Sequence, residues 1–189
     1  ADDITVEATQ AGVELVVEGA DTGPAEANLA TRAARLVLDA TGRRSGVRIR
    51  LTKHIPVKAG LGGGSSDGAA VLHGVNALLG NPVPRHEILQ LATKLGSDVA
   101  FFAAHAPLAL AWGHGERMFR IPAPPSAPVL LAIPGFGVST PEAYALLDST
   151  RAGEPSRRPV VLDSAAFDSW GNIGRLGGND FEAVLFNQA

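Results

Sequence analysis

Residues 53–80 read KHIPVKAGLGGGSSDGAAVLHGVNALLG, and the rest of the chain is arranged around this stretch. Just before it, Val47, Ile49 and Leu51 alternate with Arg48 and Arg50, the period-two pattern of a half-buried strand. Within its second half Val71, Leu72, Val75, Leu78 and Leu79 recur at helical spacing until Gly80-Asn81-Pro82 supplies the stop. The order is strand, glycine-rich loop, helix. Four of the five residues 60–64 are glycine, so the backbone can turn its N–H groups inward and let a ligand come close. Ser65, Ser66 and Asp67 follow at the expected helix start, where unpaired amides and the helix dipole favour an anion. The combination describes a phosphate cradle; the plainer reading is a flexible turn followed by a serine cap. It is neither a Walker loop, which needs G-K-[ST], nor the dinucleotide fingerprint G-x-G-x-x-G.

The segment Pro56, Val57, Lys58, Ala59, Gly60, Leu61, Gly62, Gly63, Gly64, Ser65 and Ser66 resembles the ATP-binding motif of the GHMP small-molecule kinases. Three glycines, two serines, Asp67 and a helix ending near Asn76 are most similar to the branch acting on a cytidine-diphosphate-linked methylerythritol. Further resemblance follows the family's order through residues 28–34 (NLATRAA), 95–99 (LGSDV), 113–116 (GHGE), 139–144 (STPEAY) and 179–182 (NDFE). The resemblance implies an α+β fold. Its first domain would be like ribosomal protein S5 domain 2, and its second a partial, ferredoxin-like domain. It implies ATP and Mg²⁺ as cofactors, with Ser66 a candidate near the metal. Asn28 and Lys53 would lie near the adenine, although a helix cap and a strand-end lysine account for them equally well. Asp98, in Gly96-Ser97-Asp98-Val99, matches the aspartate regarded as the family's catalytic base. By composition alone an acid in a first helical turn is a dipole partner.

The family also carries an upstream lysine-bearing strand, a D-G-Y-H-like substrate segment and a later glycine-rich motif, none of which occurs in this sequence. The chain is therefore expected to be part of a longer enzyme and inactive by itself. The alternatives are a homoserine- or mevalonate-type kinase of the same family, or a nucleotide-binding module without chemistry.

Composition sets the outer bounds. The chain has 189 residues, 46% of them hydrophobic and 19% charged, which suits a globular protein with a real core. A net charge of −3 gives no signature for nucleic acid or an anionic membrane. There is no cysteine, and the five histidines show no metal-ligand spacing. The longest apolar run, residues 99–112, is broken by His105 and Pro107 and is too short to span a bilayer. A cytoplasmic protein is expected, monomeric or weakly dimeric, with a small-molecule substrate.

Along the chain, residues 4–8 and 13–17 alternate and are separated by Gln10-Ala11-Gly12, which predicts an antiparallel hairpin. Asn28 should cap a helix with Leu29, Ala33, Leu36, Val37 and Ala40 inward, ended by Gly42. Residues 84–95 predict a helix, and Ser97 reads as the cap of the next. Residues 108–112 and 118–121 read as strands around a turn containing His114. The proline-rich segment 122–128 predicts a linker between domains 1–121 and 129–189. Beyond it, 129–133 is expected as a buried strand, 134–137 as a turn, and 140–147 as a helix with a capping box from Ser139 to Glu142. A polar stretch follows over 151–159. Residues 163–170 read as weakly helical and 171–178 as loop, before a last helix capped by Asn179 and Asp180 and carrying Phe181, Val184 and Leu185.

Overall fold

The computed structural model describes residues 1–113, 115, 117–132, 140–151 and 163–182. The chain divides into two units, Ala1–Arg120 and Ile121–Ala189. The first contains β1 (Asp3–Thr9), β2 (Val13–Glu18), α1 (Leu29–Thr41), β3 (Gly46–Thr52), α2 (Gly63–Leu78), α3 (Arg85–Leu95), α4 (Ser97–Ala103), β4 (Ala109–Trp112) and β5 (Arg117–Arg120). This is an α+β arrangement.

The sheet corrects the expected hairpin. β1 and β2 do not pair; β3 lies between them, antiparallel to β1 and parallel to β2. The short 10–12 connection crosses over the start of β3 instead, where the Gly12 carbonyl accepts the Val47 N–H at 2.8 Å. Gly46 sits under this crossing, and a Cβ there would stand 2.3 Å from the Ala11 carbonyl carbon. Charge favours the observed order. Register sets Arg48 opposite Glu7 on one side and Glu14 on the other, and its Nε donates to Glu14 at 2.7 Å. Burial favours it too: Val47, Ile49 and Leu51 are no more than 1% exposed, as befits a central strand.

Helices α1 and α2 pack against the sheet and each other, and α3 and α4 extend the helical layer from α2. Ile49, Leu72, Ile88, Val37 and Val75 form the middle of the core, each worth about 1.5–3 kcal/mol of burial. Close approach explains two small residues of α2: a Cβ on Gly68 would meet Leu29 at 3.2 Å and one on Gly74 would meet Val6 at 3.3 Å. α1 begins and ends as expected. The Asn28 side chain accepts from the Ala30 N–H and Gly42 adopts the left-handed conformation; of the expected stripe Ala33 and Val37 are fully buried and Leu29 and Leu36 partly so, the buried face widens to Ala30, Ala34 and Leu38, and Ala40 is exposed. In the last turn of α2, buried Asn76 holds Val83 by both backbone groups, donating to its carbonyl at 2.9 Å and accepting its N–H at 3.0 Å. α4 is capped by Gly96, not Ser97, which is its first helical residue. The β4–β5 turn leans on this point: a Cβ on Gly115 would lie 2.4 Å from the Ser97 Cβ.

The second unit holds α5 (Thr140–Arg151), a short 3₁₀ turn (Ser164–Phe167) and α6 (Trp170–Leu176). Two expectations are corrected here. Residues 129–132 form no strand, and Val129 and Leu130 are 78% and 96% exposed, because no described strand of this unit offers them a ladder. The segment after Gly171 is helical through Leu176 because the Ser169 hydroxyl caps it, accepting the Asn172 N–H at 3.1 Å. Asn179 accepts the Phe181 N–H as an initiating cap would, and the Phe181 ring meets Tyr144 edge-on. Ile133 of the expected strand, the turn at 134–137, Ser139, residues 152–159, His114, Glu116, Val184 and Leu185 lie outside the described residues. Among the described residues no helix is long and apolar enough to cross a membrane.

Candidate active site

The glycine-rich loop leaves β3 at Lys53 and enters α2 at Gly63. Lys58, Gly60 and Gly62 all have positive φ, at 60°, 71° and 69°, so the chain reverses its curl at every second residue. Such alternation builds backbone concavities whose N–H groups converge on an anion. At Gly62 this geometry becomes the helix cap, and the first i→i−4 bond of α2 is donated by Ser66 to the Gly62 carbonyl. The N–H groups of Gly63, Gly64 and Ser65 therefore precede the helical ladder and lie at its positive end.

Beside this loop is an open cleft of about 540 Å³. Residues 56–65 line it, together with 21–23, 27–29, Lys53 and Asp67. Of the loop, cap and lysine residues expected to hold a nucleotide, only Ser66 is absent from the wall; its hydroxyl donates to the Gly63 carbonyl at 2.8 Å. Gly64 has open space where a side chain would begin, so its backbone faces the cleft bare. Gly63 is the opposite case: a Cβ there would meet Ile55 Cγ2 at 2.9 Å and Lys53 Nζ at 3.3 Å. A phosphate chain fits the cradle, since both its amide donors and its unobstructed approach are present.

Asn28 is committed on both sides of its amide. Its oxygen caps α1 and its nitrogen donates to the Thr22 hydroxyl at 3.0 Å, which fastens the 19–24 loop along the cleft. Lys53 is committed as well. Its ammonium donates to Asp2 and, at 2.8 Å, to Asp67, and the side chains of all three are at most 4% exposed. Burial alone would lower the lysine pKa, but the two carboxylates outweigh it and the net shift is upward. Burial also raises the Asp2 carboxyl, yet the N–H groups of Ile55 and His54, with Lys53, hold it well below the ordinary range. For Asp67 burial dominates and the net shift is upward, since it has Lys53 as partner and Asp2 as a like-charged neighbour. Asp2 and Asp67 received no role from the sequence. The signal for Asp2 is the β1–β3 register, which continues from Asp3↔Thr52 to set Asp2 opposite Lys53.

Asp98 lies in the first turn of α4, exposed, and is not part of the cleft wall. One helical turn on, Phe102 occupies the same face, and its ring stands 3.0 Å from where a Gly62 side chain would begin. The face of α4 that carries Asp98 is thus the face packed on the glycine loop. Lys58 is exposed and has no ion-pair partner among the described residues. No group of three or more His, Cys, Asp or Glu residues able to hold a metal occurs among the described residues.

Residues 28–105 match the model of the GHMP kinases N terminal domain. The 4-diphosphocytidyl-2-C-methyl-D-erythritol kinase of Pelotomaculum thermopropionicum is 46% identical over 156 residues, 82% of this chain and 52% of that protein. The enzyme of that name from Geobacillus kaustophilus is 45% identical over 161 residues, 85% of this chain and 55% of that one. The chain spans about half the length of the curated relatives it matches. A crystal structure of 4-(cytidine 5'-diphospho)-2C-methyl-D-erythritol kinase superposes with a TM-score of 0.72 at 36% identity, covering 99% of this chain and 65% of that one. Homoserine kinase from Cytophaga hutchinsonii superposes with a TM-score of 0.57 at 22% identity, covering 98% and 59%, a likeness of fold alone.

Proposed function

Because residues 28–105 belong to the GHMP kinase N-terminal domain family, we propose that this protein is an ATP-dependent kinase. Its acceptor is the 2-hydroxyl of 4-diphosphocytidyl-2-C-methyl-D-erythritol, in non-mevalonate isoprenoid precursor synthesis. The observation that carries the reading is the bare amide cradle at 62–65 opening on a cleft of nucleotide size. The identity to kinases of that name supports the choice of acceptor.

Phosphoryl transfer asks a protein chiefly for positioning and charge stabilisation. Bound ATP with Mg²⁺ supplies the transferable phosphoryl group and neutralises its charge. The N–H groups of Gly63, Gly64 and Ser65 hold the phosphates, and Ser65, which lines the cleft, is the serine that adds a ligand, since the Ser66 hydroxyl donates to the Gly63 carbonyl. Residues 21–23 and 27–29 bound the remainder of the cleft, where the adenosine belongs. Asp98 takes the proton of the attacking alcohol. In the same reading the first unit is an S5-like domain, residues 122–128 join it to a ferredoxin-like second domain, and the enzyme works in the cytoplasm as a monomer or weak dimer.

The test, made on the longer enzyme of which this chain is expected to be part, is phosphoryl transfer from labelled ATP with Mg²⁺ to the cytidine-linked methylerythritol, homoserine and mevalonate in parallel. Transfer to the first alone is expected. Preference for homoserine or mevalonate would replace the substrate, and failure to bind ATP would end the kinase reading.

A further inference from the structure

Lys53, Asp2 and Asp67 come from three separate places: the end of β3, the chain just before β1 and the second turn of α2. The loop that forms the cradle runs between two of them. At its entrance, one Asp2 oxygen accepts the N–H groups of His54 at 2.6 Å and Ile55 at 2.7 Å, while the other accepts Lys53. At its exit, Asp67 accepts the same ammonium at 2.8 Å. The two ends of the loop are drawn so close that Ile55 and the lysine Nζ fill the space beside Gly63.

We propose that Asp2, Lys53 and Asp67 form a clamp that positions the phosphate-binding amides. Lys53 is thereby a positioning residue, not a cation for the ligand. Its ammonium already donates to two carboxylates, so it is not a free cation offered to a phosphate. Its effect is geometric: it closes the loop at its base and holds the start of α2 against the end of β3. The charged groups are almost excluded from water, so the attraction is little screened, and an unpaired member would be costly. An amide cradle works only if its donors are fixed before the ligand arrives.

The proposal rests on the nucleotide reading above, and its test separates the two. The double variant Lys53→Met/Asp67→Leu removes the bridge without leaving an unpaired buried charge at position 67, and Asp2 keeps its two backbone donors. Two measurements are made on the intact protein: ATP–Mg²⁺ affinity by calorimetry, and amide exchange at residues 60–65 against residues 47–51 of β3. The expected result is a roughly 10- to 100-fold weaker ATP affinity. Exchange should quicken about tenfold at 60–65 while the β3 amides stay as protected as before. Unchanged ATP affinity in the folded variant, or exchange that quickens equally in loop and strand, overturns the clamp. Should the double variant fail to fold, Asp67→Asn decides by the same two readouts. Should the unaltered protein bind no ATP, the kinase reading falls, and the exchange comparison alone decides the clamp.

Discussion

Lys53 and Asp67, fourteen residues apart, meet at 2.8 Å with both side chains all but sealed from solvent. Between them the chain makes its whole glycine loop, so the contact ties the shape of the loop to the charge state of a few buried groups. Asp2, on the other side of the lysine, gives that tie a pH dependence that can be measured.

The folded protein holds the Asp2 carboxyl below its ordinary value of 3.8. Its stabilisation is therefore fully present above that value and is lost as pH falls below it. Asp67, shifted upward, acts in the opposite sense and in a different range: the folded state takes up its proton first on acidification, so stability from this group falls as pH rises above 3.8. Asp2→Asn should lower the melting temperature at pH 7 and flatten the loss of stability below about pH 4. Melts of both proteins from pH 3 to pH 8 check this, and parallel curves would show that Asp2 is not the group titrating.

Gly64 offers a case in which stability and binding move apart. A methyl group there meets nothing within 4 Å, and alanine in a helix is favoured over glycine by about 0.5–1 kcal/mol. Gly64→Ala should melt at or above the unaltered protein while binding ATP at least tenfold more weakly, because the methyl occupies the phosphate approach. Gly63→Val should lose both, since its Cβ collides with Ile55. Lys58→Ala, removing only an exposed charge, should cost the least affinity. Calorimetric titrations beside thermal melts distinguish the three.

For Asp98 the expected signature is kinetic. Asp98→Asn should leave ATP affinity nearly unchanged and lower turnover roughly 10²- to 10⁴-fold, the usual contribution of a positioned proton acceptor. An acid serving only the dipole of α4 would instead cost about 0.3–1 kcal/mol of stability with turnover intact. Single-turnover rates and melts on the same variant of the intact enzyme tell these apart.

Asn76 lies outside the cleft wall. Asn76→Leu leaves the N–H and the carbonyl of Val83 without partners in a buried setting and should cost about 2–3 kcal/mol. Denaturant unfolding would show it, with no change in ATP affinity beyond the lost folded fraction.

The local parts of this fold were legible because their causes are local. Asn28 before Leu29, Gly42 after Thr41, and the apolar period from Val71 to Leu79 announce α1 and α2 without reference to anything distant. Strand pairing is not local. The alternation in β1 and β2 identifies strands, but three residues between them suggest a hairpin, and only the acidic outer strands against the arginines of β3 hint that β3 comes between. The same missing register hid the clamp: Asp2 faces Lys53 only once β1 is laid against β3. The cradle was readable from its glycines and serines, whereas which serine faces the cleft depends on a hydroxyl turning back to the Gly63 carbonyl.

The insertion of β3 between two earlier strands also sets a timetable. Thirty-four positions separate Glu14 from Arg48, and the partners of β1 are further apart still, so neither ladder can close early in synthesis. β1, β2 and α1 emerge from the ribosome before β3, and neither of the two ladders to β3 can be completed until Thr52 is out. Slow, long-range closure of this kind sets the folding rate. Until it happens, the edges that β1 and β2 present to β3 stay open, the form in which the nascent polypeptide is most prone to association with other chains.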